Sequence, residues 1–105
     1  MPAIDARHRL QNAMPSDTKL DQLRAAMDVC NLRLLSVLQE RAELTAAIGA
    51  YKRARGIGGA DPAREAAMLT KVLQQARPGG YPPAALESIF RAVFAASRAM
   101  VERTQ

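Results

Sequence analysis

One apolar stripe constrains this chain more than any other feature. Leu20, Leu23, Met27, Cys30, Leu34, Val37, Arg41, Leu44, Ile48 and Tyr51 follow one another in steps of three and four residues. That alternation is the heptad signature of a helix with one continuous seam. Leu35, Leu38, Ala42 and Thr45 widen the seam. Pro15-Ser16-Asp17-Thr18 offers N-cap oxygens ahead of the run, and no proline then occurs until Pro62. The pattern predicts a single helix from about Thr18 to Arg53, roughly 54 Å long at 1.5 Å per residue. A seam of that length needs apolar surface along all of it.

The rest of the chain is too short to provide that surface. Arg55-Gly56-Ile57-Gly58-Gly59-Ala60 reads as a loop. Asp61-Pro62 is a helix start, with Asp as N-cap and Pro at the first helical position. The second helix is expected to run to about Ala76. Arg77-Pro78-Gly79-Gly80-Tyr81-Pro82-Pro83 interrupts it, and a third helix is expected from about Pro83 to near the C-terminus. Both are about half as long as the first, so a second copy of the long helix is the natural cover for the remainder. No strand alternation and no internal repeat is visible. The expected fold is therefore all-α, a three-helix chain with a long first helix. Residues 1–17 are read as a flexible N-terminal tail and residues 18–105 as one domain. Met14, followed by Pro15, reads as a candidate alternative translation start, which would make residues 1–13 dispensable.

Composition narrows the functional classes. Fifteen Lys and Arg against ten Asp and Glu give a formal charge of +5, which suits an anionic partner. The basic residues are interspersed with acids and form no aromatic-basic platform, which argues against nucleic acid. With one cysteine and one histidine, neither an intrachain disulfide nor a metal-ligand cluster is expected. No signal peptide and no apolar run long enough for a membrane are visible. A reducing cytoplasm is the expected setting.

Arg41 is the one stripe member unsuited to a core. A guanidinium in that position needs an anion, a neighbouring carboxylate such as Glu40 or Glu43, or a route to water. Arg24 and Lys52 flank the stripe, each one residue after an apolar member. Arg41 and Lys52 lie roughly 16 Å apart along the axis, a gap two long side chains can close around a small molecule. Arg24 and Lys52 lie roughly 42 Å apart and cannot meet one small ligand on a single straight helix. An antiparallel or crossed partner would bring Arg24 of one chain to Arg41 and Lys52 of the other. Asp61 and Glu65, four apart with Arg64 between them, open helix two, where a cap and a carboxylate near the N-terminus are favourable. In helix three Leu86, Phe90, Val93, Ser97 and Val101 form one face, interrupted by Ser97, whose hydroxyl can bond the carbonyl one turn back.

Taken together, Leu23-Arg24, Gln39-Glu40-Arg41-Ala42-Glu43-Leu44, Ile48-Gly49-Ala50-Tyr51-Lys52, Asp61-Pro62-Ala63-Arg64-Glu65 and Ser97 resemble the all-helical chorismate mutases. The resemblance covers roughly residues 19 to 101. Each motif is weak alone, and the ordered set is specific. It implies an interlocked homodimer of three-helix chains with two shared active sites, acting on chorismate in phenylalanine and tyrosine biosynthesis, with no cofactor and no metal. It further implies that Arg41 and the partner's Arg24 clamp the two substrate carboxylates. Lys52 would bond the ether oxygen and one carboxylate. Asp61 and Glu65 would meet the ring hydroxyl, Asp61 by its carboxylate or its backbone, Arg64 would order the site, and Ser97 would lie beside a carboxylate. Lys52, Arg41 and Glu65 are the expected catalytic set.

The implied reaction explains why no His or Cys is needed. Chorismate to prephenate is an intramolecular [3,3] rearrangement, requiring orientation of the enolpyruvyl arm and stabilisation of charge on the ether oxygen. One position departs from the family. Val101 stands where a Gln or Glu usually bonds that oxygen, and one such donor is worth about 3 kcal/mol in the transition state. The departure keeps two relatives on the same scaffold open, an isochorismate pyruvate-lyase and an aminodeoxychorismate mutase. It also keeps open an activating enzyme of the same pathway as a further partner. A non-enzymatic helical dimerisation module is the remote alternative, and it gives no reason for Arg41 inside the stripe.

Overall fold

The structure is a computed structural model that describes residues 15–103. Among these residues there are three helices and no strand: α1 (Pro15–Ala54), α2 (Pro62–Leu73) and α3 (Pro83–Arg103). The expected all-helical, three-helix architecture with a long first helix is observed. Of the tail assigned to residues 1–17, residues 1–14 lie outside the described residues, and residues 15–17 form the first turn of α1. Helix α1 begins at Pro15 rather than Thr18, because proline's fixed φ suits a first helical turn and its missing N–H has no acceptor there anyway. No helix of the described residues is long and apolar enough to cross a membrane.

The chain divides into two units, the first ending at Glu40 and the second starting at Arg41. The described part of the first unit consists of helix alone. Its apolar stripe is open to solvent, from Leu20 at 42% exposed to Val37 at 59%. Cys30 is a free, exposed thiol, and Arg24 is exposed as well.

The second unit contains the end of α1 and all of α2 and α3. Helix α1 stops in a Schellman motif, in which Ile57 N donates to Lys52 O at 2.8 Å and Gly56 N to Arg53 O at 3.2 Å. Gly56 sits at φ +66°, a conformation that a side chain would strain. Asp61 caps α2 as its sequence suggests, its Oδ1 accepting from Arg64 N at 3.0 Å. Such a cap is worth about 1 kcal/mol. Helix α2 ends at Leu73, three residues before the expected Ala76. Its last bonds tighten to three-residue spacing, Gln75 N to Val72 O and Ala76 N to Leu73 O, which is how a final turn satisfies its carbonyls. Gly80 N then donates to Arg77 O at 3.1 Å, with Pro78 leading the turn and Gly79 at φ +83°. Proline followed by a positive-φ glycine is the type II turn signature.

Helix α2 packs against α3. Leu69 and Phe94 are the buried apolar side chains among the described residues, at 8% and 4% exposed. The Phe90 and Phe94 rings meet at a tilt, with centroids 6.2 Å apart. A core this small provides little of the apolar burial that a chain of 105 residues needs. The apolar surface that would complete it lies in the open, with Leu44, Ile48 and Tyr51 also exposed in this unit.

Candidate active site

Arg41 is the centre of the polar arrangement in the second unit. It starts the last turns of α1 and is half-buried. Its Nη1 donates to Ser97 Oγ on α3 at 2.6 Å. Its Nη2 lies 4.0 Å from Met68 Sδ on α2, and its guanidinium carbon stands 5.4 Å from the centre of the Phe94 ring. Three helices therefore hold one cation. The ring contact adds roughly 0.5–1 kcal/mol at a partly exposed site. Thr45 Oγ1 bonds back to Arg41 O at 2.9 Å, which keeps that hydroxyl on the same helix face. Among the described residues, neither Glu40 nor Glu43 forms an ion pair with Arg41, although both were available as partners on the same helix.

Ser97 serves two bonds. Its hydroxyl accepts from Arg41 and donates to Val93 O at 3.1 Å, one turn back. The local bond expected of a serine inside a helix is thus present and also aims the oxygen at Arg41. A neutral hydroxyl leaves the positive charge of Arg41 uncompensated, as an anion-binding cation requires.

Lys52 lies three turns further along α1, and its turn angle from Arg41 is roughly 20° at 100° per residue, so both share one face. Its Nζ donates to Gly59 O at 2.6 Å, a carbonyl in the α1–α2 loop. Asp61 spends its carboxylate on the cap of α2, and its carbonyl oxygen accepts from Glu65 N at 3.1 Å. Glu65 is half-buried and accepts from Arg98 Nη1 through Oε1. Arg64 is exposed, its backbone rather than its side chain engaged with Asp61. Val101 faces α1 at Gly49: a methyl group added at that glycine would lie 3.7 Å from Val101 Cγ2 and 3.3 Å from Arg53 Nη1. Ala46, Gly49, Arg53, Met100 and Val101 line one small hollow.

The structure brings Arg41 and Ser97 into direct contact and sets Glu65 on α2 one turn from Met68. Lys52 is engaged instead by the Gly59 carbonyl of the loop. Arg24 belongs to the first unit. Sequence reading missed Phe94, Met68, Arg98 and Gly59. Phe94 had a signal, since it lies four residues after Phe90 and three before Ser97 on the same helix surface. Arg98 follows Ser97 directly but reads as a surface residue. The Gly59 contact is made by a backbone carbonyl and leaves no mark on residue type.

Comparison with known proteins gives these residues a context. The chorismate mutase type II family matches residues 23–102. A T-protein from Enterobacter agglomerans is 36% identical over 75 residues, which span 71% of this chain and 20% of that protein. The chain thus corresponds to about a fifth of that relative's length. Among solved structures, chorismate mutase (form II) from Thermus thermophilus is similar, with 32% identity and a TM-score of 0.76. That match covers 81% of this chain and 96% of the Thermus chain. With a family match over most of its length and a similar solved structure covered almost end to end, this chain belongs to the chorismate mutase type II family.

Proposed function

We propose that the protein rearranges chorismate to prephenate, as a homodimer whose two active sites each draw on both chains. One observation carries the reading: Arg41 interrupts an apolar stripe, yet it meets a serine hydroxyl and an aromatic face instead of a carboxylate. A partly desolvated guanidinium met by neutral groups is prepared for an anionic ligand. Chorismate carries two carboxylates. Arg41 would hold one of them beside Ser97, and the partner's Arg24 would hold the other.

The reaction breaks a carbon–oxygen bond as a carbon–carbon bond forms across the same molecule. No group on the protein is consumed. Its work is to hold the enolpyruvyl arm over the ring and to stabilise charge growing on the ether oxygen. Lys52 would meet that charge by leaving the Gly59 carbonyl for the substrate. Asp61 and Glu65, at the start of α2, would take the ring hydroxyl, and Arg64 would order that end of the site.

Burial supports the dimer. Two buried apolar side chains do not hold a domain together, and the exposed stripe of α1 is the surface on which a second copy would complete the core. Arg24, on that same helix, is the residue such a copy would contribute. A free, exposed Cys30 suits a reducing compartment, and the cytoplasm is our reading of the setting.

Val101 favours keeping a second reading on the same scaffold. A valine packed towards Gly49 offers the ether oxygen no hydrogen bond, which suits an isochorismate pyruvate-lyase or an aminodeoxychorismate mutase, or a mutase assisted by another enzyme of the pathway. Purified protein, without added metal or cofactor, is expected to convert chorismate to prephenate. Turnover of isochorismate with none of chorismate would replace the first reading with the second.

A further inference from the structure

Two consecutive residues of α3 each fix a polar residue on a different helix. Ser97 accepts from Arg41 of α1, and Arg98 donates to Glu65 of α2. The second bond is not explained by stability. Its side chains are 44% and 27% exposed, and ion pairs of that exposure contribute little to folding. Its position is more informative. Glu65 is three residues before Met68, so the two share one face of α2, and Met68 is the α2 residue that meets Arg41. Glu65 thus stands on α2 about one helical turn before the residue that meets the cation expected to hold the substrate. A Glu side chain has three rotatable bonds, and without a tether it would sample several rotamers. Arg98 takes Oε1 and leaves Oε2 to accept a bond.

We infer that Arg98 is a positioning residue that locks the Glu65 carboxylate in the orientation needed to accept a hydrogen bond from the ring hydroxyl of the substrate. This rests on the mutase reading above. On this inference Glu65, expected in the catalytic set, acts in binding alone: the ring hydroxyl is not a reacting group, and its hydrogen bond is taken as equal in ground and transition states. Weakening such a uniform interaction raises KM and leaves kcat almost unchanged.

Steady-state kinetics and thermal melting of the intact protein and its variants test the inference. Arg98→Ala is expected to raise KM about tenfold, the typical loss of one charge-assisted hydrogen bond, with kcat within about twofold. Its Tm should stay within about 2 °C of the parent, as expected for a partly exposed pair. Arg98→Lys, which keeps a cation in reach, should recover most of the loss. In a Glu65→Gln background, Arg98→Ala should add little, because the group it positions is already changed. An unchanged KM in Arg98→Ala would overturn the inference. So would a kcat loss that tracks a fall in Tm and resists rescue by Lys, or effects of Arg98→Ala and Glu65→Gln that simply multiply. If the parent protein does not turn over chorismate, the mutase reading itself fails and this inference falls with it; chorismate turnover by the parent with indifferent Arg98 variants defeats the inference alone.

Discussion

Residues up to Glu40 and residues from Arg41 onward contrast in how their side chains are satisfied. In the first unit the described residues form one helix, and its apolar stripe has nothing of its own to rest on: Leu23, Met27, Leu34 and Val37 are all more than half exposed. In the second, helices α2 and α3 pack together, Phe94 is buried, and Arg41, Ser97, Glu65 and Arg98 pair across helices. The difference teaches a division of labour. The second unit has internal partners for its polar groups and a small core. The first has none for its stripe, and its apolar periodicity makes sense as one side of an interface.

Shared active sites would tie the two regions together, and that is where the largest effect is expected. Arg24→Ala and Arg41→Ala should each lose about 10²- to 10³-fold in turnover, as removal of one preorganised charge donor does. Mixed dimers of the two variants pair an intact Arg24 with an intact Arg41 at one of their two sites. Random re-pairing of the chains should then restore roughly a quarter of the parent activity. Confirmed mixed dimers with no recovery would break the comparison, because each unit would then serve its own site.

The next effect concerns the stripe itself. Leu34→Glu introduces a charge at the middle of the exposed seam, where an unpaired buried charge costs about 3 kcal/mol or more. Sedimentation should show the parent as a dimer and the variant shifted to monomer. The melting temperature of the parent should also rise with protein concentration. A parent that sediments as a monomer would mean that the open stripe is the final state.

The smallest effect tests the second unit's packing. A Cβ at Gly49 would meet the far end of Arg53 at 3.3 Å and Val101 at ordinary contact distance. Arg53 is flexible enough to yield, so Gly49→Ala should gain the helix propensity that glycine lacks. The expected stabilisation is about 0.5–1 kcal/mol, seen as a rise of a few degrees in Tm. A fall instead would show that Arg53 is held in place and cannot yield to the added methyl group.

Much of the fold was legible because its punctuation is local. Asp61-Pro62 starts α2 because a cap oxygen and a fixed φ act within four residues, and Gly56 ends α1 because only positive φ closes that motif. The end of α2 was read three residues too long, since the tightening of its last turn depends on backbone geometry and not on a breaker residue. Of the candidate site, Arg41 stood out because a guanidinium in a heptad stripe violates the pattern around it.

By itself, then, the sequence determined three helices, a seam too long for the chain's own helices to cover, and the set of polar residues that disturb it. Only the tertiary structure decided how those residues pair. Ser97 rather than Glu40 or Glu43 meets Arg41, Arg98 meets Glu65, and a loop carbonyl meets Lys52. Periodicity fixes which face a residue occupies, but which residue lies opposite depends on the packing of α2 against α3 and on the path of the loop. Both are long-range outcomes that no local pattern encodes.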